Sequence, residues 1–263
     1  MSSGDVVLVE RDAGVVSVTL NRPERKNAAN GLVWQRLAET FREVAGRSSD
    51  RVMVVTGAGG AFCSGADISD PSGVGGEPGD PHIVRMRFLG EVMLALRQIP
   101  KPTIAKVRGV AAGAGISLAL GCDLIVASDG ARFSEIFAKR GLSLDGGSSW
   151  LLPRMVGLHR AKELAFFAEM LSAEEAAGFG LVNRVVPDAE LDSFVDGWAR
   201  KLAAGPPVAL SMTKTLLDNS FAVSMAQALE DEARCQAVNF ATADTGEAMR
   251  AFAEKREPRF EGR

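Results

Sequence analysis

The chain has 263 residues, of which 46% are hydrophobic and 24% charged, and its formal net charge is −3 at pH 7. A chain of this size and composition buries a substantial core, so we expect one large globular domain with a small helical appendage. The slight acidic excess and the lack of a basic run argue against nucleic acid as a partner.

The cysteines and the N-terminus indicate the compartment. Cys63, Cys122 and Cys235 are odd in number and far apart. Their spacing matches neither a zinc site nor a disulfide framework, which favours a reducing environment and structural thiols. No basic region followed by a long apolar segment opens the chain, and the apolar stretches are too short or too interrupted to span a bilayer. We therefore expect a cytoplasmic protein with no membrane association.

The first half of the chain alternates between the periodicities of strands and helices. Residues 6–20 form two β-rich runs around Asp12, Ala13 and Gly14, which is a hairpin signal. The segments that follow are typical of an α/β core with right-handed crossovers. They are predicted as a helix at 32–44, a strand at 51–57, a helix at 83–98, a strand at 103–107, a helix from about Ala114 and a strand at 123–127.

Residues 69–81, SDPSGVGGEPGDP, carry Gly and Pro at a density that excludes regular structure, so they are predicted to be a mobile surface loop. This loop is either an insertion without function or a flap over an active site. After a strand ending at Pro187, the pattern is helical at 190–204, 207–219, 222–240 and 246–255.

The helical tail cannot extend a sheet and has to pack on the core or on another subunit. Its helices present apolar faces that a single core is not expected to cover. These faces carry Leu191, Phe194, Trp198 and Leu202, and then Leu216, Phe221, Met225 and Leu229.

Two predicted strand-to-helix junctions are rich in glycine, VVTGAGGAFCSGADI (54–68) and AKVRGVAAGAGISLALGCDL (105–124). The first turn of a helix presents N–H groups without intrahelical partners, so either junction could hold an anion. A Rossmann site is disfavoured because the third glycine of its motif would fall on Leu118, and a P-loop is excluded because no Gly-Lys-Ser/Thr follows. The plainer alternative is that the glycines only permit tight turns and close packing.

The order of several motifs is more specific than any one of them. Together they resemble the enoyl-CoA hydratase/isomerase family, also called crotonases, from about residue 5 to the C-terminus. The motifs are NRPERKNA (21–28), AFCSGADI (61–68), residues 105–128, the loop 141–150, LSAEEAAGFGLVNRVVP (171–187) and the C-terminal EAMRAFAEKREPRF.

The resemblance implies an α/β fold, a crotonase-type spiral of repeated ββα units with a helical C-terminal trimerisation region. We expect the spiral core and its acyl-CoA site over residues 1–195 and the helical region over 196–263. The resemblance also implies acyl-CoA thioester substrates and a homotrimer or homohexamer.

Family motifs assign roles to particular positions of this chain. The N–H groups of Ala66 and Ala114 correspond to the oxyanion hole that binds the thioester carbonyl. Arg25 corresponds to a contact with a CoA phosphate; its alternative is a solvated loop charge beside Arg22 and Lys26.

The resemblance also implies that the backbone at the edge of the adenine pocket runs through Ser64, Ala66, Asp67 and Ile68. Near the C-terminus, Phe252 and Lys255 either contact a neighbouring subunit's CoA or lie on an ordinary helix face.

The family's hydratases use two glutamates to orient and deprotonate a water, and this chain lacks both. The first position is occupied by Ser117 and the second by Phe137. Asp145, eight residues beyond Phe137, matches an acid found in the isomerase, dienoyl-isomerase and dehalogenase branches. It is either an acid/base or the N-cap of the helix that follows. Glu135 is the alternative acid, if a strand irregularity turns it to the same face.

If Asp145 is catalytic, its apolar neighbours should raise its pKa above the ordinary value. These neighbours are Phe137, Leu142, Leu144 and Trp150. A Ser-His-Asp triad is disfavoured, because Ser148 and Ser149 have no obvious partner in His82 or His159.

The expectation is therefore an enzyme that shifts a double bond in an enoyl-CoA, in fatty acid metabolism, with Asp145 as acid/base and an enolate held by Ala66 and Ala114. An enoyl-CoA hydratase, an acyl-CoA thioesterase and a non-catalytic acyl-CoA-binding protein remain as alternatives. No metal or nucleotide cofactor is expected, since CoA is part of the substrate.

Overall fold

The structure is a computed structural model that describes residues 5–70, 73, 75 and 79–263. The strands are β1 Val7–Asp12, β2 Val15–Leu20, β3 Val52–Gly57, β4 Thr103–Val107, β5 Val110–Ala112, β6 Leu124–Ser128, β7 Arg132–Ser134, β8 Leu171–Ser172 and β9 Arg184–Val186. The helices are α1 Gly31–Gly46, α2 His82–Arg97, α3 Ala114–Gly121, α4 Ser148–Val156, α5 Leu158–Phe167, α6 Ala173–Gly178, α7 Leu191–Ala203, α8 Pro207–Asn219, α9 Met225–Phe240 and α10 Ala243–Glu254. Short 3₁₀ helices lie at Pro23–Arg25, Ile136–Arg140 and Asp188–Glu190.

The described strands form a larger and a smaller sheet. The larger sheet has the order β1-β2-β3-β4-β6-β9, in which β1 is antiparallel to β2 and the other neighbours are parallel. The smaller sheet has the order β5-β7-β8 and begins directly after β4, so the chain steps from one sheet to the other near residue 109. The α/β fold expected from the sequence is confirmed.

Both faces of the larger sheet are covered, and β3 shows how. Met53 and Val55 point into the main core, whereas Val52 and Val54 pack on the opposite face against α7. This division follows from the two-residue period of a strand, and it explains why β3 reads as a continuous apolar run. The predicted strand at 51–57 is therefore confirmed, and its continuous apolar run is explained by burial of both faces.

Helix α1 shows local signals and packing acting together. The Asn30 side chain accepts the N–H of Val33 at 3.1 Å and so caps the first turn. Beyond the cap, Trp34, Leu37 and Phe41 recur at helical spacing and are fully buried in the main core. Burial of each such side chain contributes about 1.5–3 kcal/mol, so the apolar stripe fixes the helix against the sheet.

The hairpin prediction is confirmed. Ala13 and Gly14 both have positive φ, at 47° and 83°, and form the two-residue turn between β1 and β2. This backbone geometry matches the twist of an antiparallel pair. The other predicted helices and strands are also present, with ends shifted by a few residues. The short strands β5, β7 and β8 and the helices α5 and α6 were not predicted.

Residues 71, 72, 74 and 76–78 of the predicted mobile loop lie outside the described residues. The described remainder of 69–81 contains turns and irregular backbone.

Helix α7 packs against the larger sheet and is part of the hydrophobic core. Leu191, Val195 and Ala199 are buried against the larger sheet, and Phe194 and Trp198 are partly buried there. The expectation that this face is left uncovered is wrong, because α7 supplies the cover for the second face of the sheet. The predicted division after residue 195 would fall inside this helix.

The later helices do expose apolar side chains, which we call the C-terminal apolar surface. Their exposed fractions lie between 46% and 86%. The surface consists of Leu217, Phe221, Met225, Leu229, Val238, Phe240, Met249 and Phe252. Among the described residues, no helix combines the length and apolar character that crossing a bilayer requires.

Candidate active site

The two glycine-rich segments lie side by side. The N–H of Cys63 donates to the carbonyl of Val110 at 3.0 Å, and the N–H of Ala112 donates to the carbonyl of Cys63 at 3.0 Å. Helix α3 starts immediately afterwards, and a Cβ on Gly115 would lie 2.1 Å from the Cys63 carbonyl oxygen. Glycine at 115 is therefore required for the close approach of the first segment to the helix.

The structure corrects one expectation about these segments. Residues 54–68 do not run from a strand into a helix, because after β3 they form turns and isolated bridges to Ala29 and Ala111, and α2 begins only at His82. The second segment does so as predicted, with Gly113 at the N-cap of α3 and a φ of 54°. Only the second segment therefore uses a helix N-terminus.

Ala66 and Ala114 each follow a glycine with positive φ, Gly65 at 109° and Gly113 at 54°. A Cβ on Gly65 would lie 3.8 Å from the Ala114 nitrogen, so the two turns are adjacent. Within the described residues, no backbone hydrogen bond uses the N–H of Ala66 or of Ala114. Both residues line a cavity of about 450 Å³.

The loop before α1 supports this wall of the cavity. Arg22 forms an ion pair with Asp67 at 2.9 Å, and both side chains are largely buried. Hydrogen bonds from Ser69 and the Arg22 guanidinium hold the pKa of Asp67 below its ordinary value. Asp67 lines the cavity, but its carboxylate is used to fix the loop.

Asn27 completes this support, and the sequence analysis did not single it out. Its Nδ2 donates to the carbonyls of Ala58 at 2.8 Å and Ala61 at 2.7 Å, and its Oδ1 accepts the N–H of Arg22 at 2.8 Å. The side chain is 1% exposed, so these long-range bonds are needed to satisfy a buried amide. The sequence feature that could have identified Asn27 is its position within the NRPERKNA motif.

The predicted CoA-binding residues are brought together in the lining of the same cavity. Arg25, Ser64, Ala66, Asp67 and Ile68 all line it. Arg25 is exposed at the end of the 3₁₀ helix, and its carbonyl accepts the Ser64 hydroxyl at 3.3 Å. Ile68 is 84% exposed, so the cavity is open at this end.

Asp145 lines the same cavity, as do Phe137, Arg140 and Leu142. Its Oδ1 is buried and has no hydrogen-bond partner among the described residues. Burial raises the pKa of Asp145 from 3.8 to about 6. The direction agrees with the expectation from its apolar neighbours.

The Asp145 side chain does not cap the following helix. Helix α4 begins at Ser148 with Gly147 as its N-cap, and no side chain caps it. The contact to the helix is made by the backbone, because the Asp145 carbonyl accepts the N–H of Ser148 at 3.1 Å. A Cβ on Gly146 would lie 2.7 Å from the Ser117 Cβ, so this tight turn also brings Asp145 close to α3.

The positions of the two missing glutamates differ in environment. Ser117 is fully buried, and its Oγ lies 2.9 Å from the Ser148 Oγ and 3.1 Å from the Asp145 carbonyl oxygen. Phe137 is 5% exposed and lines the cavity. Neither side chain can take a proton from a substrate.

Glu135 is buried near this cluster but does not reach the cavity by a strand irregularity. It follows β7, forms the N-cap residue of the 3₁₀ helix Ile136–Arg140 and is 2% exposed. It is absent from the described cavity lining, which includes its neighbours Ile136 and Phe137.

Other predicted candidates lie elsewhere. Phe252 is 86% exposed on α10, and Lys255 follows the end of that helix; neither lines the cavity. His82 and His159 are also outside its described lining, so no described histidine can complete a triad there. In the described part of the chain, no group of three or more His, Cys, Asp or Glu residues is arranged to hold a metal.

A larger cavity, of about 770 Å³, lies at the C-terminus and is a weaker candidate. Its lining charges pair with one another, as Arg250 and Arg256 do with Glu247. The smaller cavity combines two unused main-chain donors with an unpaired buried carboxylate. That combination is characteristic of enzymes that act on carbonyl compounds, where negative charge develops on an oxygen.

Comparison with known proteins identifies the class more closely. The family model described as enoyl-CoA hydratase/isomerase matches residues 10–263. The 1,2-epoxyphenylacetyl-CoA isomerase of Escherichia coli is 37% identical, over 98% of this chain and 99% of the relative. A probable enoyl-CoA hydratase of Rhodobacter capsulatus is also 37% identical, over 97% of each chain.

Solved structures agree with these relatives. A putative enoyl-CoA hydratase from Streptomyces coelicolor superimposes with a TM-score of 0.93 at 36% identity, covering 100% of this chain and 96% of the other. An enoyl-CoA hydratase from Bacillus anthracis gives a TM-score of 0.93 at 30% identity, over 98% and 100%. The chain belongs to the enoyl-CoA hydratase/isomerase family, and the expected crotonase fold is confirmed. Isomerase and hydratase names both occur among its relatives.

Proposed function

We propose that this protein moves a carbon–carbon double bond in an enoyl-CoA thioester, with Asp145 as the acid/base. The observation that carries the proposal is Asp145 itself, an unpaired and half-buried carboxylate in the same cavity as the Ala66 and Ala114 N–H groups. A general base works best when its pKa lies near the working pH, and burial moves the pKa of Asp145 to about 6.

The proposed reaction uses one base for both proton transfers. Asp145 removes a proton from the α-carbon of a 3-enoyl-CoA, and the electron pair of the broken C–H bond moves onto the thioester oxygen, which gives an enolate conjugated with the double bond between the β- and γ-carbons. The N–H groups of Ala66 and Ala114 stabilise this enolate oxygen. Asp145 then returns the proton to the γ-carbon while the carbonyl re-forms and the double bond moves between the α- and β-carbons, which gives the 2-enoyl-CoA; the reverse direction uses the same steps.

Hydration is the less favoured alternative because the acids that it uses are missing. Water addition in this family uses carboxylates at the positions of Ser117 and Phe137. Ser117 is fully buried and bonded to Ser148, while Phe137 presents an aromatic ring to the cavity. A single acid at position 145 fits a reaction that only relocates a proton.

The proposed substrate contacts come from other residues in the lining of the cavity. We assign the CoA phosphates to Arg25 and the adenine edge to the backbone from Ser64 through Asp67 to Ile68. The proposed reaction needs neither a metal nor a nucleotide cofactor, since base and oxyanion donors all come from the chain. We propose that the protein works in the cytoplasm as a homotrimer or homohexamer.

The test is incubation of the protein with 3-enoyl-CoA, 2-enoyl-CoA and saturated acyl-CoA thioesters. A shift of the double bond supports the proposal, whereas water addition, release of free CoA or binding without turnover identifies one of the alternatives. Asp145→Asn should slow the shift by about 10²–10⁴-fold and keep acyl-CoA affinity. Asp196→Asn, which removes an exposed carboxylate on α7, is the matched control and should change nothing.

A further inference from the structure

A second carboxyl group, that of Glu135, is buried near Asp145: both residues neighbour Ser148, whose N–H donates to the Asp145 carbonyl at 3.1 Å. Glu135 is 2% exposed, and among the described residues neither of its carboxylate oxygens has a hydrogen-bond partner. Buried charges in proteins are normally paired, and a buried carboxylate without a partner keeps its proton instead. Because Glu135 is not part of the described cavity lining, substrate does not supply the missing partner.

The elements packed around Glu135 offer no compensating cation. Asp145 is the charged group that acts on it, and the two carboxyl groups repel each other when both are ionised. Helix α3 carries no charged side chain. The basic groups on the other neighbouring elements have other partners or are exposed. Arg132 donates to the Ala131 carbonyl, and Lys139 and Arg160 form ion pairs with Glu169 and Glu163. Arg140 lines the cavity, Arg154 stacks on Trp150, and His159 and Lys162 are exposed.

Among the described residues, the Ser148 hydroxyl favours the charged form of Glu135, although it does not meet hydrogen-bond geometry with either carboxylate oxygen. Its Oγ shares a hydrogen bond of 2.9 Å with Ser117, and it lowers the pKa of Glu135 only in part. Burial prevails, followed in the same direction by the charge of Asp145, and the pKa of Glu135 rises from 4.5 to about 7.

We propose that Glu135 is a positioning residue that retains its proton while Asp145 is ionised, so that the active enzyme carries one negative charge on the pair and loses turnover when Glu135 ionises. This inference rests on the proposed role of Asp145. A second negative charge near Asp145 holds the transferred proton on that residue and opposes its return to the substrate. It also opposes the negative charge that develops on the thioester oxygen.

The pH dependence of kcat/KM tests the proposal. The wild-type profile should rise near pH 6, as Asp145 ionises, and fall above about pH 7, as Glu135 ionises. The Glu135→Gln profile should keep the rise near pH 6 and lose the fall above pH 7. When kcat/KM is divided by each protein's own maximum, the value of the variant at pH 8 should be about tenfold higher than that of wild type. Ser148→Ala should shift the fall to higher pH, because it removes the group that favours the ionised form.

Two outcomes of this experiment overturn the proposal. An unchanged fall above pH 7 in Glu135→Gln would show that Glu135 does not control turnover. Loss of turnover at every pH in a folded Glu135→Gln protein would instead make Glu135 the base.

A measurement that does not depend on turnover separates this inference from the proposed function. Infrared difference spectra at pH 6.5 should show a protonated carboxyl group that is missing in Glu135→Gln. In Asp145→Asn the same signal should titrate at lower pH, because the repelling charge is gone. If Asp145→Asn keeps its turnover, the assignment of Asp145 fails; if the wild type shows no protonated Glu135 signal, the present inference fails.

Discussion

Replacing Asp145 with Asn should lower the turnover of the enzyme and raise the stability of its folded state. The folded protein raises the pKa of Asp145 from 3.8 to about 6, and this corresponds to a cost of about 3 kcal/mol for the ionised group in the folded state. The sign follows from proton affinity: the folded state binds the proton more tightly than the unfolded state. The contribution of Asp145 to the free energy of unfolding is therefore complete below about pH 4 and is lost as the pH rises through about 6.

Asparagine does not ionise, so Asp145→Asn should avoid this cost. The variant should be more stable than wild type by up to about 3 kcal/mol at pH 8 and should differ little near pH 4. Turnover should fall by about 10²–10⁴-fold, the usual contribution of a general acid/base. Urea unfolding at fixed protein concentration over this pH range, together with the isomerase assay, measures both effects.

Asp145→Ala checks whether the side chain caps helix α4. A lost cap would cost about 0.5–2 kcal/mol, whereas the structure shows no capping bond from this side chain, so we expect no such loss. Parallel stability curves for wild type and Asp145→Asn across the pH range would refute the reasoning from burial.

Four further predictions follow from other parts of the molecule. Gly115→Ala places a Cβ 2.1 Å from the Cys63 carbonyl oxygen and should reduce both turnover and Tm, whereas Gly90→Ala, which meets nothing within 4 Å inside α2, should stabilise by about 0.5–1 kcal/mol. Arg22→Gln removes the ion-pair partner of the largely buried Asp67, which then keeps only its hydrogen bonds from Ser69, and should lower the free energy of unfolding by about 3 kcal/mol in urea titrations. The C-terminal apolar surface should be covered in a trimer or hexamer, and a monomeric mass by light scattering at micromolar concentration would contradict this. Chelators should leave turnover unchanged; loss that a divalent ion restores would count against a metal-free site.

Much of the fold could be predicted because the long elements carry their own periodicity. Helix α1 has both a capping residue and an apolar stripe, and β3 is a continuous apolar run. The short strands β5, β7 and β8 could not be found this way, since two or three residues display no period. Helix α7 shows another limit: its apolar face was visible in the sequence, but the pattern does not say whether a sheet or a second subunit covers it.

The candidate site was predictable where local turn chemistry decides the structure. Gly113 and the start of α3 were placed correctly, because a glycine before an apolar helix is a local signal. The path of residues 58–66 was not, because their bridges to Ala29 and Ala111 connect distant parts of the chain. The burial of Glu135 has the same origin, since β7 and the 3₁₀ helix that flank it pack against β5, β8, α5 and α6, which lie elsewhere in the sequence.

The two oxyanion donors that we propose belong to the main chain, and this has a consequence for how such a protein changes over generations. Any residue except proline supplies an N–H, so among single substitutions at position 66 or 114 only proline deletes the donor itself. A side-chain acid is different, because a single substitution can remove or introduce it. This chain carries Ser117 and Phe137 at the two glutamate positions and an acid at position 145 instead. A descendant that loses its acid still keeps the turns that bind and polarise a carbonyl. New reactions can therefore arise on this scaffold by moving a single carboxylate around a fixed point of charge stabilisation.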